Sequence, residues 1–382
     1  MAVNVSGLLP AAKKNALIRR VLEWWDANRR TLAWRAKPGE TPDPYRVWLS
    51  EVLLQQTTAQ TVTPYYQRFI GTWPTVEALA AAPQEAVMSA FAGLGYYARA
   101  RNLHACARAV AERGGVFPDD EAGLRALPGL GAYTAAAVAA IAFNRPTLPV
   151  DGNIGRILAR LMALETPIPQ ARAKIAAAAR ALAPAARPGD FAQALMDIGA
   201  TVCRPLKPEC PACPLRADCA AARSGAPEAY PSRAAKKPKP RRRGLVFFAR
   251  RSDGAFLARR RPPRGLLAST VELPGSDWRA DGVFRQVEDA PVAASWRRLP
   301  DEVVQAFTHF TLSLGVHVAD YEGPAPEGHF WVAPDQLDAA GFSNMMRKVV
   351  ARALASCEKA GPERAGRGGE KICMNLTVLP SG

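Results

Sequence analysis

Four cysteines crowd into one short segment of the chain, at spacings that suit a metal centre. Cys203, Cys210, Cys213 and Cys219 form the pattern C-x6-C-x2-C-x5-C. Four soft thiolates can hold either a tetrahedral zinc ion or a [4Fe–4S] cluster. Zinc ribbons favour two C-x2-C knuckles, whereas only Cys210 and Cys213 form one here, so the uneven spacing favours the [4Fe–4S] cluster. We expect this cluster to act as a structural staple for a segment with little core of its own.

A glycine-rich turn stands directly before a predicted helix. The segment LPGLGAYT, residues 127–134, contains Gly129 and Gly131. Such a turn exposes backbone N–H groups and the positive end of the helix dipole, both of which attract phosphate. The segment would also serve as an ordinary turn between helices. In a basic chain we interpret it as a helix–hairpin–helix motif whose glycines contact the DNA backbone.

Two carboxylates stand in sequence settings that could support acid–base chemistry. Glu51 lies among apolar residues in RVWLSEVLLQQTT. Burial among them would raise the pKa of its carboxyl group, so that it could donate a proton near neutral pH. The alternative is an ordinary solvated glutamate on a helix surface. Asp151 follows an apolar run and precedes a predicted helix, so it would cap that helix while one oxygen could still face a sugar. Gln55, Gln56 and Thr57 offer amide and hydroxyl groups that suit base edges.

The chain of 382 residues is strongly basic, with 50 Lys and Arg against 34 Asp and Glu and a formal net charge of +16. Its length predicts about two or three domains. A hydrophobic share of 48% and a charged share of 22% exclude wholesale disorder. The positive charge favours nucleic acid as the partner, with an anionic membrane surface second.

No segment has the pattern of a membrane span or an export signal. The longest apolar run, 135–143, falls well short of the roughly 18 apolar residues that a transmembrane helix needs. The first residues lack the charged start and long apolar stretch of a secretory signal. Clustered thiols in such a chain indicate a reducing compartment. We therefore expect a cytoplasmic protein, associated with the nucleoid in a bacterium.

Residues 11–222 are predicted to be all-α, because apolar residues recur at helical spacing beginning with Leu17, Val21 and Trp25. Further helices are predicted over 45–54, 75–81, 84–93, 97–113, 121–126, 133–143, 153–164, 171–182 and 190–202. Residues 223–243 lose this periodicity and carry several prolines and a run of seven bases. We interpret them as an extended basic interdomain linker, with DNA backbone contact as the alternative.

The C-terminal part changes to short strands. GLVFFAR and AFLARR, separated by Ser252-Asp253-Gly254, predict a hairpin. TVELPG, FTHFTLSLGVHVADY and GHFWVA predict further strands, and 342–355 predicts a closing helix. The sequence therefore predicts an α+β domain over 244–356, followed by a disordered tail over 357–382.

These motifs occur together and in a fixed order. SEVLLQQT with Glu51, LPGLGAYTA, VDGN at 150–153 and the four-cysteine segment resemble the helix–hairpin–helix DNA glycosylases of the endonuclease III superfamily. The lyase branch of that family carries a lysine where Tyr133 stands, so the resemblance implies a monofunctional enzyme. The AWR at 33–35 and the QQT run are similar to the adenine-specific, MutY-type branch. The resemblance covers residues 11–355.

The resemblance implies a role for each of four catalytic residues. Glu51 would protonate the leaving adenine and later activate water, following the two-carboxylate logic of glycoside hydrolysis. Asp151 would stabilise the cationic sugar or trap it covalently. Asn153 and Tyr133 would order the water and the catalytic carboxylates.

Other positions match residues that bind the substrate in this family. Trp34, Arg35 and Gln193 match the lining of the pocket for the extruded adenine. Gln56 and Tyr96 match groups that wedge into the duplex beside the lesion pair. The resemblance thus implies that base extrusion precedes the chemistry.

The C-terminal domain resembles a Nudix domain. VELPG at 271–275 matches the start of the Nudix motif, but the acidic REXXEE-like run that binds magnesium is missing, so pyrophosphate hydrolysis is not expected. In the family this domain reads 8-oxoguanine, and Phe307, Thr308 and His309 stand at its Phe-Ser-His loop. Threonine in place of serine keeps the hydroxyl and adds a methyl group.

The sequence therefore predicts a multi-domain protein: an all-α helix–hairpin–helix glycosylase with an iron–sulfur loop, plus an α+β Nudix-like domain. The resemblance implies a monomeric, monofunctional glycosylase that releases adenine opposite 8-oxoguanine or guanine in duplex DNA. Repair or replication proteins are expected to bind the linker, and no membrane partner is expected. The alternatives are a bifunctional glycosylase/lyase for oxidised pyrimidines and a non-catalytic protein that binds lesions.

Overall fold

The computed structural model describes residues 10–96, 98–232, 238–262, 265–280, 289–337 and 340–358. Within these ranges the chain forms two compact units. The first comprises residues up to Pro238 together with Pro262–Thr270, and the second comprises Lys239–Arg261 and the residues from Val271 on. The predicted tail beyond 358 and the linker bases at 233, 236 and 237 lie outside the described residues.

The first unit is helical, as its apolar spacing predicts. Its helices are α1 (Ala11–Asn28), α2 (Pro44–Leu54), α3 (Ala59–Thr72), α4 (Val76–Ala81), α5 (Gln84–Ala90), α6 (Ala98–Ala111), α7 (Glu121–Arg125), α8 (Ala132–Phe143), α9 (Gly152–Leu161), α10 (Ile168–Leu182), α11 (Pro188–Thr201) and α12 (Ala220–Arg223). In the described part of the chain, none of the helices has the length and apolarity that crossing a membrane requires.

Short polar side chains fix where several of these helices begin. Asp43, Thr58, Thr75, Asp120 and Asp151 each accept a hydrogen bond from a backbone N–H of the helix that follows. Such caps satisfy N–H groups that the first turn leaves without a partner. The sequence therefore sets the start of α2, which carries Glu51, and of α9, which Asp151 directly precedes.

Helix α3 is the longest of the elements that the sequence pattern does not predict, which also include α12. The β-branched run 61–63 and Pro64, which lies inside the helix, both lower its intrinsic helix propensity. Val62, Tyr66 and Phe69 nevertheless lie on its buried face. Tertiary packing therefore outweighs the local preference of these residues.

The helical unit has two hydrophobic cores, and helix α8 belongs to both. Ala135, Val138 and Ile141 pack into the first core, whereas Ala140 packs into the second. The residues from Thr134 to Ala142 are all buried, so α8 is enclosed rather than amphipathic. Its small side chains allow close approach: a Cβ on Gly189 of α11 would lie 2.6 Å from the carbonyl oxygen of Ala140.

In its described residues, the second unit is a mixed sheet with one α-helix. Its elements are β1 (Arg241–Arg250), β2 (Phe256–Arg260), β3 (Val271–Glu272), β4 (Arg297–Arg298), β5 (Val303–Ala306), β6 (Thr311–Asp320), β7 (His329–Val332) and α13 (Asn344–Glu358). The strand order is β3-β2-β1-β6-β4, with β5 also pairing with β6 and β7 with β2. β1 and β2 form the predicted antiparallel hairpin, and β1 pairs in parallel with β6. The predicted α+β class is confirmed.

The end of the predicted linker is strand rather than an extended tether. Arg241, Arg242 and Arg243 begin β1, where they pair with Thr311, Leu312 and Ser313 of β6. The prediction is wrong at these positions because the parallel ladder supplies backbone hydrogen bonds that a local charge pattern does not reveal. At the other end of the domain, α13 extends through Cys357 to Glu358, into the range predicted to be tail.

Candidate active site

One cleft in the first unit gathers most of the predicted site residues. Its volume is about 1280 Å³, and α2, the turn before α8, the start of α9 and one face of α11 line it. The predicted residues that line it are Trp34, Arg35, Glu51, Gln56, Thr57, Gly129, Gly131, Tyr133, Asp151, Asn153 and Gln193. A cleft of this size can hold a nucleotide. Glu51 and Asp151 therefore face the same space.

Glu51 lies two turns into α2 and is only 5% exposed. Burial raises the pKa of its carboxyl to about 7, because a desolvated charge is costly and the negative charge of Asp151 adds to this effect. A hydrogen bond from Tyr133 and the positive charge of Arg35 act in the opposite direction. Glu51 therefore exchanges a proton near neutral pH, which is the property that a general acid needs.

Tyr133 holds the Glu51 side chain in place. It is the second residue of α8, and its hydroxyl donates to Oε2 of Glu51 at 2.8 Å. Burial, together with the charges of Glu51 and Asp151, raises the pKa of Tyr133 well above its usual range. The phenol therefore stays protonated and acts as a fixed hydrogen-bond donor to the carboxyl group.

Asp151 is both a helix cap and a member of the site. Its Oδ1 accepts from the backbone N–H of Ile154 at 2.7 Å, and its Oδ2 accepts from Nδ2 of Asn153 at 3.1 Å. Burial raises the pKa of its carboxyl, whereas these hydrogen bonds act against the rise. The cap fixes one oxygen, and Asn153 orients the other at the edge of the cleft.

Arg156 connects this carboxylate to the four-cysteine segment. Its guanidinium donates to Oδ1 of Asn153 at 2.9 Å, to the carbonyl of Gly199 at 2.7 Å and to the carbonyl of Cys203 at 2.9 Å. Gly199 permits this packing, because a Cβ there would lie 2.5 Å from Cβ of Asn153. A continuous chain of hydrogen bonds thus runs from Asp151 to the start of the cysteine segment.

Arg35 lines the cleft but is held by a buried carboxylate that the sequence analysis missed. Its Nη1 and Nη2 donate to the two carboxylate oxygens of Asp197 at 2.7 and 2.8 Å, and Arg30 donates to the same group. Burial opposes the ionisation of Asp197, but the two arginines outweigh it and hold its pKa below the usual range. Asp197 stands among apolar residues in ALMDIGA, which is the criterion that singled out Glu51.

The hairpin glycines and the QQT run border the cleft. Gly129 has a φ of +76°, a backbone conformation that favours glycine. Gly131 precedes α8, and no side chain caps that helix, so its first N–H groups can receive an anion. Gln55 donates to Oγ1 of Thr134 at 3.2 Å, while Gln56 is exposed at the end of α2.

The aromatic and amide groups predicted to surround adenine are also in the cleft. Trp34 is half-buried and makes an edge-to-face contact with Tyr66, with ring centroids 5.7 Å apart. Gln193 donates to the carbonyl of Gly189 within α11, at 3.3 Å. Tyr96 lies outside the cleft lining, 51% exposed on the loop before α6.

The four cysteines lie within residues 203–219, a segment that packs beside the second core. All four are half-buried and free of disulfides, and burial raises the pKa of the Cys213 and Cys219 thiols. Arg160, which is 2% exposed, donates to Sγ of Cys203 at 3.3 Å and to the carbonyl of Arg204 at 2.7 Å. In the described residues, no group of three or more His, Cys, Asp or Glu side chains is arranged to hold a metal ion.

The predicted reading residues lie on the β5–β6 loop of the second unit. Phe307 is half-buried and stacks on Phe310, with ring centroids 4.9 Å apart. Its backbone N–H donates to the carbonyl of Phe310 at 2.8 Å, which closes the turn. Thr308 and His309 are exposed at the tip of this loop.

A helical unit with a glycine hairpin ahead of a buried helix, and with two carboxyl groups in one cleft, is the arrangement expected of a helix–hairpin–helix DNA glycosylase. Residues 49–184 match the HhH-GPD superfamily of base excision DNA repair proteins, and residues 245–352 match the NUDIX domain. A solved structure of a thermostable thymine-DNA glycosylase is 30% identical, with a TM-score of 0.50 over 56% of this chain and 98% of that chain.

The relatives narrow this class to one family. The adenine DNA glycosylase of Homo sapiens is 33% identical over 407 residues, which covers 88% of this chain and 74% of the human protein. That of Mycolicibacterium smegmatis is 40% identical over 196 residues, or 51% of this chain and 66% of the relative. The chain belongs to the adenine DNA glycosylase family: it is a hydrolase of base excision repair that acts on adenine in DNA.

The protonation of Glu51 predicts the pH dependence of adenine release. Because only the protonated acid can donate, and because its pKa is about 7, the single-turnover rate should be highest below pH 6 and fall roughly tenfold per unit above pH 8. Tyr133→Phe removes a hydrogen bond that favours the charged carboxylate, so the alkaline fall should move to higher pH. Rates measured from pH 5 to 9 check both expectations.

Tyr65→Phe is the matched control for this experiment. The Tyr65 hydroxyl donates to the carbonyl of Ala92 at 3.0 Å, and Tyr65 does not line the cleft. Its removal should leave the alkaline fall where it is in the wild type. An unchanged or downward shift in Tyr133→Phe would contradict the role assigned to this hydrogen bond.

Proposed function

We propose that the enzyme is a monofunctional glycosylase that releases adenine opposite 8-oxoguanine or guanine in duplex DNA. The observation that carries this proposal is the single cleft in which Glu51, with a pKa of about 7, faces Asp151 and is held by Tyr133. The family supplies the leaving base, adenine. The exposed loop tip with Thr308 and His309 supports recognition of the opposite base.

The cleft supports a two-carboxylate hydrolysis. The Glu51 carboxyl donates its proton to the leaving adenine as the C1′–N9 bond breaks, and the bonding electron pair leaves with the base. Asp151 then stabilises the positive charge on the sugar, either electrostatically or by forming a bond to C1′. Glu51, now a carboxylate, accepts a proton from the water that attacks C1′. Where Asp151 has bonded to C1′, this attack breaks that bond, and its electron pair returns to the Asp151 carboxylate. Asn153 supports this step by fixing the Asp151 oxygen that the helix cap leaves free.

The choice of opposite base is tested with four duplexes that hold adenine opposite 8-oxoguanine, guanine, cytosine or thymine. After incubation, alkali cleaves the abasic products, and we expect release from the first two at least about tenfold above the others. Thr308→Ala removes a hydroxyl that can bind the 8-oxo group, so release opposite 8-oxoguanine should fall roughly three- to tenfold. Release opposite guanine should not change.

Ser252→Ala is the control for Thr308→Ala, because it removes an exposed hydroxyl from the β1–β2 turn of the same unit. It should leave all four release rates as in the wild type. Equal release from all four duplexes would overturn the proposed pairing preference. An equal loss opposite 8-oxoguanine and guanine in Thr308→Ala would overturn the role of its hydroxyl.

Tyr133 carries the proposal that the enzyme lacks lyase activity. A lyase needs an amine that forms a Schiff base with C1′ of the sugar, and a tyrosine cannot supply one. The lysine that lines the cleft, Lys37, is exposed and lies on the loop between α1 and α2. We expect borohydride to capture at most traces of covalent enzyme–DNA complex during turnover.

Efficient capture would contradict monofunctional hydrolysis. The variant Lys37→Ala then identifies the amine: capture that disappears in this variant would place lyase chemistry on Lys37. Capture that persists would place it on another lysine. In either case, efficient capture by the wild type would favour the bifunctional glycosylase/lyase.

We propose that Cys203, Cys210, Cys213 and Cys219 hold a [4Fe–4S] cluster, because all four are half-buried thiols outside any disulfide within residues 203–219. Three of them, Cys203, Cys213 and Cys219, pack against the second core. When bound, the cluster would supply a cross-link for this segment. Arg160 supports it by holding the backbone between the first two cysteines and donating to Cys203. Iron and acid-labile sulfide analysis of the purified protein tests this assignment, and zinc in their place would overturn it.

A further inference from the structure

Arg99, near the start of α6, bridges two segments that are predicted to contact the duplex. Its two terminal nitrogens donate to five backbone carbonyls at distances between 2.7 and 3.3 Å. These carbonyls belong to Val52, Leu53, Gln55, Leu94 and Gly95. The first three lie at the end of α2, directly after Glu51, and the last two lie on the loop before α6. One side chain therefore joins both segments.

Each segment ends in a residue with a left-handed backbone. Gln56 has a φ of +58° and Tyr96 has a φ of +51°, which is uncommon for residues other than glycine. Such conformations persist where the surroundings hold them. Arg99 provides that support, because its guanidinium binds the carbonyl of Gln55 at 2.7 Å and its backbone N–H donates to the carbonyl of Tyr96 at 2.8 Å.

The guanidinium itself is fixed within the helical unit. Its central carbon lies 4.9 Å from the centre of the Phe91 ring, a distance typical of a cation–π contact. The side chain is half-buried, and Phe91 is fully buried. The planar guanidinium of Arg99 has several N–H donors and can bind two sets of carbonyls at once, whereas the ammonium group of a lysine has its donors on one atom.

We infer that Arg99 is a positioning residue for base extrusion: it holds Gln56 and Tyr96 at a fixed separation, so that both enter the duplex together. The inference rests on the proposed function, because insertion of Gln56 and Tyr96 into the duplex helps catalysis only if the adenine leaves the base stack before its bond to the sugar is cleaved. Arg99 lies outside the cleft lining and donates to neither catalytic carboxylate. Its loss should therefore affect extrusion rather than the chemical step.

The test measures extrusion and chemistry separately. Extrusion is followed by the fluorescence of 2-aminopurine placed at the target position opposite 8-oxoguanine, with Glu51→Gln in every protein so that no base is released. Chemistry is followed by single-turnover adenine release with Glu51 intact. We expect Arg99→Met to decrease both the fluorescence rise and adenine release, the latter roughly 10- to 100-fold, because unstacking a paired base is costly.

Two further variants make the result decisive. Arg99→Lys keeps the positive charge but lacks the planar guanidinium with its several donors, so adenine release should fall by only roughly three- to tenfold. If Arg99→Met does not fold, Arg99→Lys alone tests the inference. Arg68→Met is the control: Arg68 lies over the Tyr65 ring and donates to the carbonyl of Ala90, away from both segments. It should match the wild type in both measurements.

The outcomes separate this inference from the proposed function. Slower release with a normal fluorescence rise would mean that Arg99 acts on Glu51, and would overturn the inference. Unchanged values in both Arg99 variants would overturn it as well. A wild-type enzyme that releases no adenine opposite 8-oxoguanine or guanine would instead overturn the proposed function.

Discussion

Replacement of Glu51 by glutamine should decrease the single-turnover rate of adenine release by about 1,000-fold or more. Glutamine has nearly the same shape but no acidic proton, so the leaving adenine would depart without the protonation that general acid catalysis supplies. The amide oxygen of the glutamine can still accept the hydrogen bond that Tyr133 donates to Glu51 at 2.8 Å. The cleft should therefore keep its geometry, and binding to the lesion duplex should remain within about threefold of the wild type.

Rates on a duplex with adenine opposite 8-oxoguanine, together with binding measured by fluorescence anisotropy, check this expectation. Glu40→Gln is the control, because Glu40 is an exposed carboxylate that lines the same cleft. It should leave both values unchanged. Retention of more than about a tenth of the wild-type rate in Glu51→Gln would refute the role of general acid. Tight binding without release by the wild type would favour the non-catalytic alternative.

Replacement of Asp151 by asparagine should decrease adenine release roughly 100- to 1,000-fold with little effect on folding. Asparagine caps helices about as well as aspartate, so the hydrogen bond to the N–H of Ile154 can persist. The negative charge that would stabilise the cationic sugar is lost, which removes an electrostatic contribution of the size seen for single oxyanion-type groups. The substitution thereby separates the catalytic role of Asp151 from its role as a cap.

Asp151→Ala removes both roles. Its release rate should be no higher than that of Asp151→Asn, and its free energy of unfolding should fall by about 1 kcal/mol because the cap of α9 is lost. Asp120→Ala is the control for this effect, since Asp120 caps α7 and does not line the cleft. Asp120→Ala should lower the free energy of unfolding without changing the rate of adenine release. A normal rate in Asp151→Asn, with loss only in Asp151→Ala, would show that capping is the whole contribution.

Local signals in the sequence predicted much of the helical unit. The cap at Asp151 and the helices over 45–54 and 153–164 were predicted from the sequence, whereas the cap at Asp43 was found only in the structure. Helix α3 was missed because Pro64 and the preceding β-branched residues disfavour a helix, while its buried face forms only in the folded unit. Local rules therefore failed where long-range packing decides.

The same limit applies to the site. Most of its predicted members line one cleft, and Tyr133 and Asn153 were predicted to order the carboxylates, but Asp197 and Arg99 were not predicted. Asp197 is 162 positions from Arg35 in the sequence, and their pairing depends on how α11 lies beside the loop after α1. Arg99 reads as one more base in the run YYARARNL, and its contacts are with backbone carbonyls that no side-chain pattern reports. Supporting contacts of this kind require the folded chain.

Helix α8 has a consequence for how the enzyme searches DNA. Helix α8 belongs to both hydrophobic cores, and each core contributes residues to the walls of the cleft. Because movement of these walls would disturb close-packed alanines, we expect the cleft to keep its shape when DNA binds. The distortion that brings a base into the cleft should then occur mainly in the DNA. Base pairs whose stacking is already weak should therefore lose a base from the helix most readily.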